Sequence, residues 1–297
     1  MLNKKDIDLG IAPIGWTNDD LPELGGHIPF EQCISEMAQA GYTGTEVGNK
    51  YPREPEELKR YLNPLKLRVA SAWFSTYFTE GKKDETIIGF QRHMEFLKEM
   101  GASVIVVCEC GFCIQGKNLP VLEEKPVFNN RQWELLKTGL EGIGQMAAAN
   151  RMKIVYHHHM GTGVQTRAEI DHLLGITDPQ LIYLLLDTGH ITYSGDDALI
   201  LAEKYGTRIK HVHLKDIRRK VLEQVRTEKM SFLDSVKAGV FTVPGDGMID
   251  FIPLFKLFER INYQGWMVVE AEQDSGKANP LEYARKAREY ILKNGGI

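Results

Sequence analysis

The sequence predicts a (β/α)8 barrel, a TIM barrel folded as a single domain over residues 1–297. Three observations predict it. Short β-branched runs alternate with amphipathic stretches along the whole chain, which is the pattern of parallel βαβ units. Eight such units can be counted, whereas an open doubly wound sheet requires no particular number. Polar residues able to carry chemistry cluster where the runs end, and that is the face on which barrels build their sites.

The first strand is read at Ile7–Pro13, followed by the helical stretch Ile34–Ala40 that stops at Gly41. The second and third strands are Gly44–Gly48 and Leu67–Trp73. A helix ending over Met94–Met100 stops at Gly101, ahead of the fourth strand, Ser103–Cys108. Leu135–Ala149 leads through Asn150 into the fifth, Lys153–His158. The sixth is Ile182–Asp187, and Ala198–Tyr205 with Gly206 separates it from the seventh, Ile209–Leu214. Trp266–Ala271 is the eighth, and the last helix, Pro280–Lys293, starts on a proline whose missing N–H suits the first turn. Gly41, Gly101, Asn150 and Gly206 tolerate the left-handed conformation that commonly ends helices.

Two connections, 111–128 and 215–247, exceed the usual length of a βα loop. Both follow strands and are expected to act as lids over the active face. Phe112, Ile114, Phe232 and Phe241 are their expected apolar anchors, and the second holds a helical piece, Ser231–Lys237.

Composition narrows the function. Lys plus Arg is 36 against 40 for Asp plus Glu, a net charge of −4, where a nucleic-acid binder would more often be basic. Met-Leu-Asn-Lys-Lys-Asp lacks the apolar core of a signal peptide, and no apolar run approaches the ~18 residues of a membrane span. A cytoplasmic enzyme with a small-molecule substrate is expected, without nucleic-acid or membrane partner, and homo-oligomerisation is left open. Cys108, Cys110 and Cys113 could suggest a thiolate site, but a buried strand end with free thiols is the stronger reading.

The strand ends supply the chemistry. Strand five ends in His157-His158-His159, strand six in Asp187-Thr-Gly-His190, strand seven in His211-Val-His213-Leu-Lys215-Asp216 and strand eight in Glu270-Ala-Glu272. Carboxylates and imidazoles converging from neighbouring strands are accommodated by a divalent cation, and mixed N/O donors suit Mn²⁺, Co²⁺, Fe²⁺ or Zn²⁺. Asp187, His213 and Glu270 are the expected ligands, with Glu272 an alternative to Glu270. One of His157 and His159 is expected to complete the shell while the other binds substrate hydroxyls; His157 is preferred as ligand and His159 as substrate contact. Trp16 and Glu46, near the ends of strands one and two, are further candidate substrate contacts. His190, Lys215 and Glu272 are candidate proton carriers whose order the sequence leaves open.

These motifs resemble the xylose-isomerase-like barrels, whose pattern is a strand-five Glu, Asp-x-x-His, His-x-Lys-Asp and a strand-eight Glu. The last three stand here at Asp187–His190, His213–Asp216 and Glu270, while His157 occupies the usual Glu position. Over its whole length the chain resembles more narrowly the inosose dehydratase family, in Gly10-Ile-Ala-Pro-Ile-Gly-Trp16-Thr-Asn-Asp, His157-His-His-Met-Gly-Thr-Gly163 and Gly265-Trp-Met-Val-Val-Glu270-Ala-Glu-Gln-Asp274. That resemblance implies dehydration of 2-keto-myo-inositol (scyllo-inosose) to a trihydroxycyclohexane-1,2-dione, with Co²⁺ or Mn²⁺ and with glutathione. The alternative is a sugar or polyol isomerase or epimerase that uses the same enolate and returns the proton.

Overall fold

Period-two alternation organises the molecule, since residues pointing into the barrel alternate with residues pointing out to the helices. The computed structural model describes residues 1–297. In chain order the strands are β1 (Ile7–Ile11), β2 (Gly44–Glu46), β3 (Arg68–Ser71), β4 (Trp73–Thr76), β5 (Val104–Glu109), β6 (Lys153–His157), β7 (Ile182–Asp187), β8 (Ile209–Leu214), β9 (Asp216–Ile217), β10 (Phe241–Thr242) and β11 (Gly265–Val269). Nine of them form one sheet in the order β3-β2-β1-β11-β8-β7-β6-β5-β4. Because β3 and β4 are one stave interrupted at Ala72, the ring closes as eight staves, every pairing parallel. The sequence reads that stave as one strand ending at Trp73, whereas the chain continues extended to Thr76 beyond the break.

Helices α1 (Phe30–Gln39), α2 (Pro55–Leu62), α3 (Lys83–Glu99), α4 (Asn130–Ala149), α5 (Arg167–Ile176), α7 (Ala198–Tyr205), α10 (Phe251–Arg260) and α11 (Pro280–Gly295) surround the barrel. α4 shows why: Asn129 and Gln132 form a capping box, and Leu136, Leu140, Ile143 and Ala147 fall on one buried stripe. Those stripes meet the outward strand residues, such as Ile154, Leu184, Leu186 and Val212, in one continuous core. Gly41 and Gly101 take the left-handed conformation, at φ 87° and 78°. Asn150 does not; Arg151 does, at φ 61°. Gly206 is right-handed, and a Cβ there would sit 2.9 Å from Ile261 Cδ1, so its smallness serves packing.

Inside, the lower barrel is filled by Val104, Val106, Val155 and Leu185 on one side and by Ala70, Trp266 and Val268 on the other. The Trp266 indole lies so close to β2 that a Cβ on Gly44 would be 2.2 Å from it, and the Arg68 guanidinium stacks 4.9 Å from the ring centroid. The floor of the barrel is therefore packed.

The second long connection holds α8 (Arg219–Glu228), α9 (Phe232–Ala238) and the antiparallel pair β9–β10. α8 is absent from the sequence reading, although Leu222 and Val225 give it a buried face. With Val121 and Ile217, Phe232 and Phe241 build a satellite core. Phe112 is half exposed at φ 59°, so Ile114, Val121 and Phe128 anchor the first connection instead. Asp216 accepts hydrogen bonds from the backbone N–H groups of Ile217, Gly245, Gly247 and Ile249, which fastens the Val243–Gly247 turn to the end of the seventh stave. No helix is long and apolar enough to cross a membrane.

Candidate active site

β6, β7, β8 and β11 are neighbours in the ring, and the register pairs Asp187 with His213 and His213 with Val268. The residues above the apolar floor on those inward faces are therefore His157, Asp187, His213 and Glu270, and they meet over the barrel axis.

One ligand atom from each of these four lies within 4.8 Å of all the others. His157 Nε2 and His213 Nδ1 are each 3.5 Å from Asp187 Oδ2, and Glu270 Oε2 closely approaches His213 Nδ1. Asp187 divides its carboxylate: Oδ1 caps the short helix α6 (Thr188–Ser194) by accepting from His190 N at 2.7 Å, while Oδ2 faces the cluster. Asp187 Oδ2, His213 Nδ1 and Glu270 Oε2 are buried without hydrogen-bond partners. Buried polar atoms of this kind need compensation, and two nitrogens with two carboxylate oxygens at one point suit a divalent cation.

A second group adjoins the first. Lys215 Nζ is wholly buried, 2.8 Å from Glu272 Oε2, 3.0 Å from His190 Nε2, 3.4 Å from Asp187 Oδ2 and 3.5 Å from Glu270 Oε2. Burial opposes its charge, but Asp187, Glu270 and Glu272 outweigh it and hold the ammonium form above the usual lysine range. For Asp187, burial is likewise outweighed, here chiefly by the Lys215 charge, and the carboxyl stays well below its ordinary value. Burial first, and then the Lys215 charge, push His190 well down, so its imidazole is neutral. His159, whose ring lies 3.9 Å from that of His190, is pushed well down, chiefly by burial. Phe232 and Phe241 pack on these rings from the second connection.

Gly189 and Thr188 explain the Asp-Thr-Gly-His spacing. Thr188 Oγ1 donates to Lys215 O at 2.6 Å and accepts from Lys215 N at 3.0 Å. A Cβ at Gly189 would sit 2.5 Å from Lys215 Cγ, so the two motifs interlock.

The structure thus brings together His157, Asp187, His190, His213, Lys215, Glu270 and Glu272, with His159 beside them. Glu46 is close by, but its Oε1 faces His211 Nε2 at 2.8 Å and His213 Nε2 at 3.2 Å. Trp16 is a correction: it is 1% exposed in the main core, and its indole donates to Glu36 of α1 at 2.6 Å. The turn at Pro13–Gly15 carries the chain past the mouth before Trp16 is reached. Trp73, which the sequence reading passed over, packs edge-on against His157 and His159 at 5.3 and 5.5 Å and is 38% exposed. Its position at a stave end was the available signal. His158 faces away, its Nε2 accepting from Asp187 N at 3.4 Å. Glu109 is saturated by Thr76, Phe78, Thr79 and Gly111. All four cysteines are free, and none belongs to a group of closely set ligand atoms.

The model of the xylose isomerase-like TIM barrel family matches residues 34–294. The chain is 56% identical to an inosose dehydratase of Clostridium tetani (strain Massachusetts / E88), over 298 residues that cover the whole of both chains. With an inosose dehydratase of Geobacillus thermodenitrificans (strain NG80-2) the identity is 57%, again over 298 residues and the whole of both chains. In fold it is similar to the crystal structure of the IolI protein with a bound zinc atom, at a TM-score of 0.72 and 15% identity, covering 97% of this chain and 98% of that one.

Proposed function

The chain belongs to the inosose dehydratase family of xylose isomerase-like TIM barrels, and from that premise we infer that it is a hydro-lyase of inositol catabolism, removing water from 2-keto-myo-inositol to give a trihydroxycyclohexane-1,2-dione. The observation that carries the reading is the contact between two groups. A four-atom cluster fit for a divalent cation shares Asp187 and Glu270 with a buried proton-carrying unit, His190–Lys215–Glu272.

Elimination of water beside a ketone needs two proton transfers: one from the carbon next to the carbonyl, and one to the departing hydroxyl. When bound by His157, Asp187, His213 and Glu270, a divalent cation supplies positive charge for the oxygen on which negative charge develops. We assign both proton transfers to His190, Lys215 and Glu272. Neutral His190 and the Glu272 carboxylate can accept a proton and the Lys215 ammonium can donate one; Lys215 Nζ is hydrogen-bonded to His190 Nε2 at 3.0 Å and ion-paired with Glu272 Oε2 at 2.8 Å. His159, and Trp73 with its exposed ring edge, suit contacts to the polyol ring. The mixed nitrogen and oxygen donor set is compatible with Co²⁺ or Mn²⁺, the ions that the family resemblance implies. Glutathione dependence, which the family resemblance implies, is best tested directly. We place the enzyme in the cytoplasm, a reducing compartment that suits four free thiols, and regard 111–128 and 215–247 as lids.

The test is to incubate Co²⁺- or Mn²⁺-loaded protein with 2-keto-myo-inositol, with and without glutathione, and to follow the product by mass. A product lighter by one water is expected. An unchanged mass with a moved carbonyl or an inverted hydroxyl would mean isomerisation or epimerisation instead.

A further inference from the structure

We propose that Glu46 is a positioning residue for the metal centre: one oxygen of its carboxylate, shared by His211 and His213, holds the His213 ring with its proton on Nε2 and its Nδ1 lone pair turned toward Asp187 and Glu270. The proposal rests on the reading of that cluster as a metal site.

An imidazole can ligate through either nitrogen, and the hydrogen bond made by the other one decides which. The two histidines of the cluster solve this differently. His157 donates from Nδ1 to the His158 carbonyl at 2.7 Å, leaving Nε2 to face Asp187. A peptide carbonyl serves as that acceptor whatever the side chain. His213 presents the opposite nitrogen. Its Nδ1 faces Asp187 and Glu270, and its Nε2 has one partner, Glu46 Oε1 at 3.2 Å. An ionised carboxylate only accepts hydrogen bonds, so Nε2, which faces Glu46, carries the proton, while on the Nδ1 side the cation assigned to the cluster would take the place of a proton between the ring and the carboxylates of Asp187 and Glu270.

Glu46 is itself held. His211 Nε2 donates to the same oxygen at 2.8 Å, and that is the single hydrogen bond of its ring, since Nδ1 is buried without a partner. The backbone contributes as well: the pairing of β2 with β3 shifts register between Thr45 and Glu46, an irregularity of the kind that re-aims a side chain. His211, Glu46 and His213 therefore form a chain that ends on the ligand nitrogen.

The test compares wild type, Glu46→Gln and Glu46→Leu. Affinity is measured by titration with Co²⁺, and the His213 tautomer by two-bond ¹H–¹⁵N correlation of the Zn²⁺-loaded protein. In wild type, Zn²⁺ should shift His213 Nδ1 while Nε2 keeps its proton. Glu46→Leu should lose about ten- to hundredfold in Co²⁺ affinity and show His213 as a mixture of tautomers. Glu46→Gln retains a carbonyl acceptor and should stay within about threefold of wild type. A Leu variant with wild-type affinity and a single Nε2-protonated His213 would overturn the proposal, as would a wild-type His213 that binds Zn²⁺ through Nε2, a result independent of any variant. If neither His213 nitrogen of the wild type responds to Zn²⁺, the metal reading itself fails and the proposal falls with it; that outcome is told apart by appearing in the unaltered protein.

Discussion

Replacing Gly189 by Ala should damage the site although no proposed ligand or proton carrier is itself substituted. In an unobstructed helix interior, Gly→Ala stabilises by about 0.8–1 kcal/mol. At Gly189 the new Cβ would lie 2.5, 2.7 and 2.9 Å from Cγ, Cδ and Cβ of Lys215, well inside the ~3.5–4.0 Å of favourable carbon contact. Thr188 fixes the backbone of Lys215, so relief requires movement of that backbone against α6 or a new rotamer for the lysine. Overpacking of this kind costs about 1–3 kcal/mol. The net expectation is a loss of about 0–2 kcal/mol, which for a chain of 297 residues lowers Tm by up to about 3 °C. A displaced Nζ also leaves Glu272 and His190, now 2.8 and 3.0 Å away, and kcat should fall about a hundredfold while bound metal is retained. The control is Gly142→Ala in α4, where nothing lies within 4 Å of the added Cβ; it should gain up to about 1 kcal/mol and keep full activity. Thermal unfolding, metal analysis and the dehydration assay on the three proteins decide it. A Gly189→Ala enzyme as stable and as fast as wild type would refute the interlock.

Asp187→Asn, His213→Ala and Glu270→Gln should each lose bound metal and most activity while the far-ultraviolet spectrum is kept; unchanged metal content in all three would sink the ligand assignment. Trp73→Leu removes an aromatic surface at the mouth and should raise KM more than it lowers kcat, whereas the reverse would give Trp73 a part in the chemistry. His93, packed on Phe74 with Nε2 3.3 Å from the Ala72 carbonyl, is pushed down by burial from 6.5 to about 4. Its native form is neutral, so its contribution is intact above about pH 6.5 and is lost as pH falls toward 4. Relative to His93→Phe, wild type should lose about 3 kcal/mol between pH 7 and pH 4 in denaturant titrations, and a pH-independent difference would refute this.

The barrel was legible because strand parity is local information: His211, His213 and Lys215 alternate along one run, and Glu270 and Glu272 along another, so the inner face follows from spacing alone. The same parity separated His157 and His159 from His158. Direction after a strand is different, because it depends on how the chain turns. Trp16 stands only five residues beyond Ile11, yet a three-residue turn sends it into the core behind α1. Glu46 was read as a substrate contact from its place at a strand end; its carboxylate faces His211 and His213 of β8, and no local pattern names a contact 165 residues away. α8 was missed because Leu222 and Val225 are a short apolar stripe in a strongly charged stretch. Gly206 and Asn150 were read by residue type, whereas the left-handed position went to Arg151 and the Gly206 demand came from Ile261.

The packed floor under Trp266 gives the barrel the plumbing of a flask with a single neck. Gly44 is closed against the indole and the valines of β5 and β6 fill the remainder, so the axis beneath the site is occupied by apolar side chains. Substrate and expelled water must therefore come and go on the opposite side, where the strands end and Trp73 is 38% exposed. The water released from the polyol ring therefore leaves by the same side as the product.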